Sequence, residues 1–350
     1  MNKNSKIFVA GHNGLVGSAV YQELIAQGYN NIIVKNRSEL DLENKSDVEQ
    51  FFNDYTPELV FLCAAKVGGI NANNLHKADF LTKNLSIQNN VIIQAYESGV
   101  KRLLFLGSSC IYPNNITRPI KETDLLTGPL ERTNEFYALA KIAGLKLCEA
   151  LSEKDDVHYF SAMPTNLYGP NDTYDLKYSH VLPAVIIKIL IGKLLMENQL
   201  ETIKNWLGKS TSELTRFLHD NGISKDKIFF WGTGEPLREF LHSEDLAKAC
   251  VHLVQNNESL KERRITHVNI GSGEELSIKK LISLVTSIAQ YKGEILFDST
   301  MPNGTMRKRL DNSLIKSLGW APSIKLKNGI TAVIKQKIVE FHLPITVAEL

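Results

Sequence analysis

Four cysteines in 350 residues is a small number, and Cys63, Cys110, Cys148 and Cys250 lie far apart with no CxxC spacing. That pattern indicates neither a disulfide framework nor a zinc site. Isolated thiols of this kind fit a reducing cytoplasm. Charge of one sign is also lacking: 40 basic residues stand against 38 acidic ones, for a net charge of +2. Such a balance points to neither a nucleic-acid nor a membrane partner. Long hydrophobic runs are missing too. The most apolar stretch, 181–195, is too short to span a bilayer and contains Lys188 and Lys193. The first residues, Met1 to Lys6, run straight into a strand-like Ile7-Phe8-Val9-Ala10 without the longer apolar core of a signal peptide. No internal repeat or low-complexity tract is visible. The expectation is a soluble, cytoplasmic protein that holds no metal. What remains is an ordinary globular composition, 43% hydrophobic and 22% charged, in a chain long enough for two domains.

Ile7 to Ala10 predicts a buried strand, followed at once by Gly11-His12-Asn13-Gly14-Leu15-Val16-Gly17. Val16, Ala19, Val20 and Leu24 then recur at helical spacing up to Gly28. A glycine-rich turn alone is a weak signal, but strand, glycine turn and helix in this order are the context a dinucleotide fingerprint requires. The glycines permit a tight turn and close backbone approach to a pyrophosphate, which rests on the helix N-terminus. The spacing is GxxGxxG rather than the commoner GxGxxG. A second strand, 31–34, ends in Lys35-Asn36-Arg37, with no acid before Glu39. An NAD site would place an acid there for the ribose 2′-hydroxyl, whereas basic residues accommodate a 2′-phosphate. Lys35 and Arg37 therefore favour NADP, the other reading being a solvated strand end.

A third strand at 58–65 closes on the small residues Ala64 and Ala65, which suit close passage of a cofactor. Cys63 reads as a core thiol. A helical pattern at 84–98 precedes the strand 102–106, which runs into Gly107-Ser108-Ser109-Cys110. Strands and helices alternating at these lengths predict an α/β fold, a Rossmann-type doubly wound parallel sheet that binds ligands beyond its strand C-termini.

Tyr137 and Lys141, four residues apart among helix formers, lie one turn apart on one helix face. A phenol has a pKa of roughly 10, and a nearby cation favours its ionised form. The same spacing also arises by chance on solvated helices. Beside Ser108 at a strand end, however, the pair matches the triad of short-chain dehydrogenase/reductases. With GxxGxxG and this length, the chain resembles the extended branch of that superfamily. The segments 107–113 (GSSCIYP), 137–144 (YALAKIAG), 164–170 (PTNLYGP), 179–183 (SHVLP) and 231–242 (WGTGEPLREFLH) resemble the GDP-L-fucose synthase family, and the resemblance spans nearly the whole chain.

The resemblance implies NADPH-dependent reduction at C4 of a GDP-4-keto-6-deoxy sugar, coupled to epimerisation at C3 and C5, in nucleotide-sugar biosynthesis for surface glycans. Tyr137 would be the general acid for the forming alkoxide. Lys141 would lower its pKa and bind the nicotinamide ribose, and Ser108 would hydrogen-bond the carbonyl oxygen. Cys110 follows Ser108 by two residues, so a continuing strand would point both side chains the same way. His180 has an unperturbed pKa near 6.5, suited to proton exchange. The family's matching cysteine and histidine epimerise. The alternative is that Cys110 is an apolar filler and His180 a helix cap. Further cofactor contacts implied are Asp41, Leu42, Leu106, Gly107, Pro164, Asn166, Leu167 and His180. Val181, Val185 and Lys188 would lie along the guanosine diphosphate, Trp231 would stack on guanine or pack in a core, and Arg238 would pair with the diphosphate.

Two departures from the family stand out. The segment 192–226 is longer than usual and reads as one or two inserted helices, with Ser210 and Glu213 as a capping box. The loop opening at Pro302 carries Asn303 where the family has an acid, while Lys308 keeps its phosphate-pairing place. Those departures motivate a second reading, a C4-reductase without epimerase activity on a related sugar such as a heptose. A non-catalytic NADP sensor would have no use for Ser108, Tyr137 and Lys141 together. The expected domains are 1–170 with 239–272 for NADP, and a smaller, discontinuous α/β substrate lobe from 171–238 with 273–350. The resemblance also implies a homodimer through helices around 86–98 and 137–150.

Overall fold

The computed structural model describes residues 2–301 and 303–347; Met1, 348–350 and Pro302, which opens the expected substrate loop, lie outside the described residues. The chain divides into two compact units. The first comprises Met1–Leu167, Glu239–Glu274 and Arg309–Ser323, and the second Tyr168–Arg238, Glu275–Lys308 and Ile324–Leu350.

The first unit is built on a six-stranded sheet, parallel throughout, of Ile7–Ala10, Ile32–Ile33, Leu59–Leu62, Arg102–Leu106, His158–Pro164 and His267–Ile270. In sequence order the strands run 2-1-3-4-5-6 across the sheet. The chain reverses its direction of winding between the first and third strands, and the glycine turn leaves the first strand at that point, where doubly wound sheets bind ligands. Continuous apolar runs make both faces buried. Ile7, Val9, Phe61 and Leu104 face one core with Val20, Leu24 and Leu246. Phe8, Ala10, Val60 and Phe105 face the other with Val48, Phe52 and Val91. The helices Leu15–Ala26 and Ser243–Gln255 pack together on the first face, and Lys77–Glu97 packs against Lys45–Tyr55 and Glu135–Lys154 on the second.

The segment 309–323 corrects the expected boundary, which assigned it to the substrate lobe. Leu310 donates its N–H to Glu239 Oε2 at 3.0 Å, bridges to Ile120, and lies with Ile111 and Met163 in one cluster, while Ile315 and Trp320 join the first core. Nothing in the local sequence reports these distant partners.

In the second unit, Val181–Met196 is apolar on all sides and almost wholly buried, as such helices are. Lys227–Trp231 pairs in parallel with Glu294–Asp298, turning Ile228 and Phe230 inward and Lys227, Phe229 and Trp231 outward. The segment 192–226, read from the sequence as an insertion, carries the two expected helices, Leu200–Leu207 and Thr211–Asp220. Glu213 N–H donates to Ser210 Oγ at 3.4 Å and Ser210 N–H to Glu213 Oε2 at 2.8 Å, so the capping box forms. Ile203 and Leu214 are buried and Trp206 packs on Phe341 with ring centroids 5.0 Å apart, so the insertion packs within its own unit. Among the described residues, no helix is long and apolar enough to cross a membrane.

Candidate active site

The glycine turn shows why glycine occupies its key positions. Gly11 adopts φ +85°, and a Cβ there would meet the Ala64 backbone at 2.8 Å. A Cβ on Gly17 would collide with the Gly11 carbonyl oxygen. The turn is thus pressed between the Leu15–Ala26 helix and the end of the third strand, where Ala64 is small for the same reason. His12 Nδ1 is buried with no hydrogen-bond partner. A cradle that excludes side chains, a helix N-terminus and an orphaned ring nitrogen together fit a dinucleotide pyrophosphate. Asn13 Nδ2 donates to Asn36 Oδ1 at 2.7 Å, tying the turn to the second strand end. The basic residues there have acidic neighbours. Lys35 lies 3.8 Å from Glu39, and Arg37 lies 2.6 Å from Glu43 and 3.9 Å from Asp41. Leu42 packs in the second-face core, and its carbonyl accepts from Asn90 Nδ2 at 3.0 Å. Asn166 Nδ2 donates to the Glu239 carbonyl at 2.9 Å, and Leu167 packs against the first-face core.

The fourth strand ends at Leu106, and Gly107 lies against Met163 so closely that a Cβ would strike its sulfur. Ser108 then caps a short 3-10 turn, Ser109–Ile111, accepting from the Cys110 N–H at 3.2 Å. The expectation that a continuing strand aims Cys110 is therefore corrected: the strand has stopped, and the turn carries the thiol. It still brings Cys110 beside the Tyr137 phenol, and Asn134 Nδ2 donates to Cys110 Sγ at 3.6 Å. Asn134 carries no sequence signal beyond standing one turn before Tyr137.

The helix Glu135–Lys154 is held tightly on the fourth strand. Gly144 faces Phe105, where a Cβ would come within 2.6 Å of the ring, and Gln88 Nε2 donates to the Ala140 carbonyl at 2.6 Å. This seats Lys141, which is 2% exposed, under the sheet end. Its Nζ donates to the Leu106 carbonyl at 2.7 Å and lies 4.6 Å from the Phe105 ring centroid and 5.8 Å from that of Tyr137. Burial pushes its pKa down to about 8. Burial pushes the Tyr137 phenol upward and Cys110 adds to it, while a hydrogen bond with the Ser108 side chain pulls it down. In the chain alone, then, the phenol is held protonated rather than lowered as the Tyr-Lys spacing suggested. Phe80 stands edge-on to its ring at 6.4 Å. None of the four cysteines forms a disulfide; burial raises Cys63, at the third strand end, to about 12, with the Lys141 charge opposing.

The residues expected to bind substrate lie in the second unit. His180 occupies the N-cap of Val181–Met196 but makes no side-chain capping bond, so capping does not account for its ring. Desolvation lowers its pKa, and the Lys308 charge lowers it further. Arg307–Lys308 pairs in parallel with Leu237 and Arg238, which sets Lys308 beside Arg238. Two cations side by side on adjacent strands repel one another and suit an anionic ligand. Trp231 is 56% exposed at its strand end, which excludes ordinary core packing. Val181 is half-buried, whereas Val185 is 1% exposed and belongs to the core of its unit, because its helix is apolar all round. Lys188 is 9% exposed; its Nζ donates to the Phe229 carbonyl at 2.7 Å, and burial lowers its pKa to about 8. Asn303 Oδ1 accepts from the Thr233 N–H at 2.7 Å and Oγ1 at 3.0 Å, clamping the turn after Trp231.

A doubly wound sheet with a glycine turn at its switch point and a serine, tyrosine and lysine at a neighbouring strand end defines a dinucleotide-dependent oxidoreductase of the short-chain type. The chain belongs to the NAD dependent epimerase/dehydratase family, whose model matches residues 7–271. It is 48% identical to GDP-L-fucose synthase 1 of Arabidopsis thaliana over 94% of this chain and 92% of the relative. Among solved structures it is 40% identical to a GDP-6-OMe-4-keto-L-xylo-heptose reductase from Campylobacter jejuni, with a TM-score of 0.93 over 97% of this chain and 99% of that one. A GDP-mannoheptose C4 reductase from Campylobacter jejuni with NADP bound is also 40% identical, with a TM-score of 0.84 over 96% and 99% of the two chains.

Proposed function

We propose that this protein is an NADPH-dependent epimerase-reductase that converts a GDP-4-keto-6-deoxy sugar to its reduced form, as GDP-L-fucose synthases do. The observation that carries the reading is the Ser108, Tyr137 and Lys141 set beside the glycine cradle. When bound, the nicotinamide supplies a hydride to one face of the C4 ketone. Tyr137 gives its phenolic proton to the oxygen as negative charge develops there. Ser108 hydrogen-bonds the same oxygen, and the Lys141 ammonium stabilises the phenolate left behind. The exposed indole of Trp231 stacks on guanine, and Arg238 with Lys308 neutralises the diphosphate.

Epimerisation at C3 and C5 is assigned to Cys110 and His180, acting on protons acidified by the adjacent ketone. Desolvation and the Lys308 charge favour the neutral His180 ring, and imidazole is a side chain suited to proton exchange. The 40% identical heptose reductase supports a second reading, C4 reduction of a GDP-heptose without epimerisation. Incubation with GDP-4-keto-6-deoxymannose and NADPH in deuterated water separates the two. Deuterium at C3 and C5 of the product is the expected result; reduction without it leaves the heptose reading.

The proposal extends to a cytoplasmic homodimer in which Lys77–Glu97 and Glu135–Lys154 form the interface. Ile93 and Leu139, apolar and 36% and 42% exposed on these helices, support it. Light scattering should give twice the 39.2 kDa chain mass, and a monomer would refute this assembly.

A further inference from the structure

We propose that Asn134 is a positioning residue for Cys110, its side-chain amide holding the sulfur as the thiolate that abstracts the sugar proton. The proposal rests on Cys110 being the proton-exchanging group of the reading above. Asn134 stands at the N-cap of Glu135–Lys154, three residues before Tyr137 and seven before Lys141, so all three issue from one side of that helix. Asparagine at such a position ordinarily turns its carbonyl oxygen onto a backbone N–H of the first turn. Asn134 makes no such bond. Its Nδ2 instead donates to Cys110 Sγ at 3.6 Å, and its Oδ1 is buried with no hydrogen-bond partner. A good cap has thus given up its capping bond and left an acceptor unmade, both unfavourable locally. The sulfur contact is what it has in exchange.

The chemistry explains the orientation. A thiolate only accepts hydrogen bonds, and an N–H aimed at it favours the charged form. Sulfur then takes the proton from the carbon beside the C4 ketone. The S–H bond forms, the C–H bond breaks, and its electron pair moves into an enolate whose charge rests on the C4 oxygen. The new S–H becomes a donor, and a half-turn of the amide presents the partnerless Oδ1 to receive it. One side chain can therefore serve both protonation states of Cys110. The titratable group beside the sulfur on the same helix is Tyr137, and Lys141 stands one turn further along that helix. Neither offers the sulfur an amide that switches between donor and acceptor.

The test is the pH profile of Cys110 alkylation by iodoacetamide, read on its own peptide by mass spectrometry. Wild type, Asn134→Asp and Asn134→Ala are compared, with Cys110→Ser to fix the assignment. Aspartate is as good a cap as asparagine and its charge suits a helix N-terminus, so N134D keeps the helix. It removes the donor and adds like charge. The apparent pKa of Cys110 should rise by about one pH unit or more in N134D, with alkylation at pH 7 slowed about tenfold. N134A should fall between N134D and wild type. An unchanged profile in N134D overturns the proposal, whatever happens to turnover. A shifted profile in an enzyme that places no deuterium at C3 or C5 upholds the Asn134–Cys110 pairing and removes the epimerase reading instead.

Discussion

Tyr137→Phe is expected to lower the turnover of 4-keto reduction by about 10²–10⁴-fold, the range in which a positioned proton donor contributes. The phenol is half-buried, held toward its protonated form by desolvation and hydrogen-bonded to Ser108, with the Lys141 Nζ 5.8 Å from its ring centroid. Removing one oxygen leaves the aromatic body that packs beside Phe80. Folding and NADPH affinity should therefore change little, and the loss should appear in kcat rather than KM. Lys141 cannot deliver the proton in its place, because its Nζ is held on the Leu106 carbonyl at 2.7 Å. Steady-state kinetics alongside NADPH titration checks this. Undiminished turnover would return the protein to the class of NADP-binding proteins that do no chemistry at Tyr137.

The second large effect is on stability and depends on pH. Asp172, just after the 164–170 motif, has Oδ2 buried without a partner, while Oδ1 accepts from the Thr173 N–H at 2.7 Å. Burial raises its pKa from 3.8 to about 7, against the pull of that N–H and of Lys337. The Lys337 ammonium is itself engaged, lying 2.7 Å from Glu340 and 4.5 Å from the Tyr174 ring centroid. The folded state therefore holds a proton that the unfolded state has released between about pH 4 and pH 7. Stability falls as pH rises through that window, and the full penalty stands above pH 7. Asp172→Asn removes the titration. It should be roughly 2–3 kcal/mol more favourable at pH 8 than at pH 5, relative to wild type. Denaturant unfolding at the two pH values measures this; a difference that stays flat would mean the carboxyl is ionised in both states.

The sequence by itself determined whatever depends on near neighbours. Gly11 must reach φ +85° and Gly17 must clear the Gly11 carbonyl, which are local demands, so the glycine turn was legible from spacing. Apolar periodicity located the strands and helices, and Ser210 with Glu213 marked the inserted helix from three residues' distance. Tyr137 and Lys141 shared a face because any helix places positions four apart together. Tertiary structure decided the rest. Only packing shows that the fourth strand stops at Leu106, that a capped turn rather than a strand carries Cys110, and that Asn134 reaches its sulfur. Val185 entered a core because its whole helix is enclosed, and Asn303 was drawn onto Thr233 across 70 residues of chain. Segment 309–323 joined the first unit through Glu239 and Ile120. A backbone torsion or a helical period is written in a few adjacent residues, whereas a partner distant in sequence is chosen by which surfaces are left to bury.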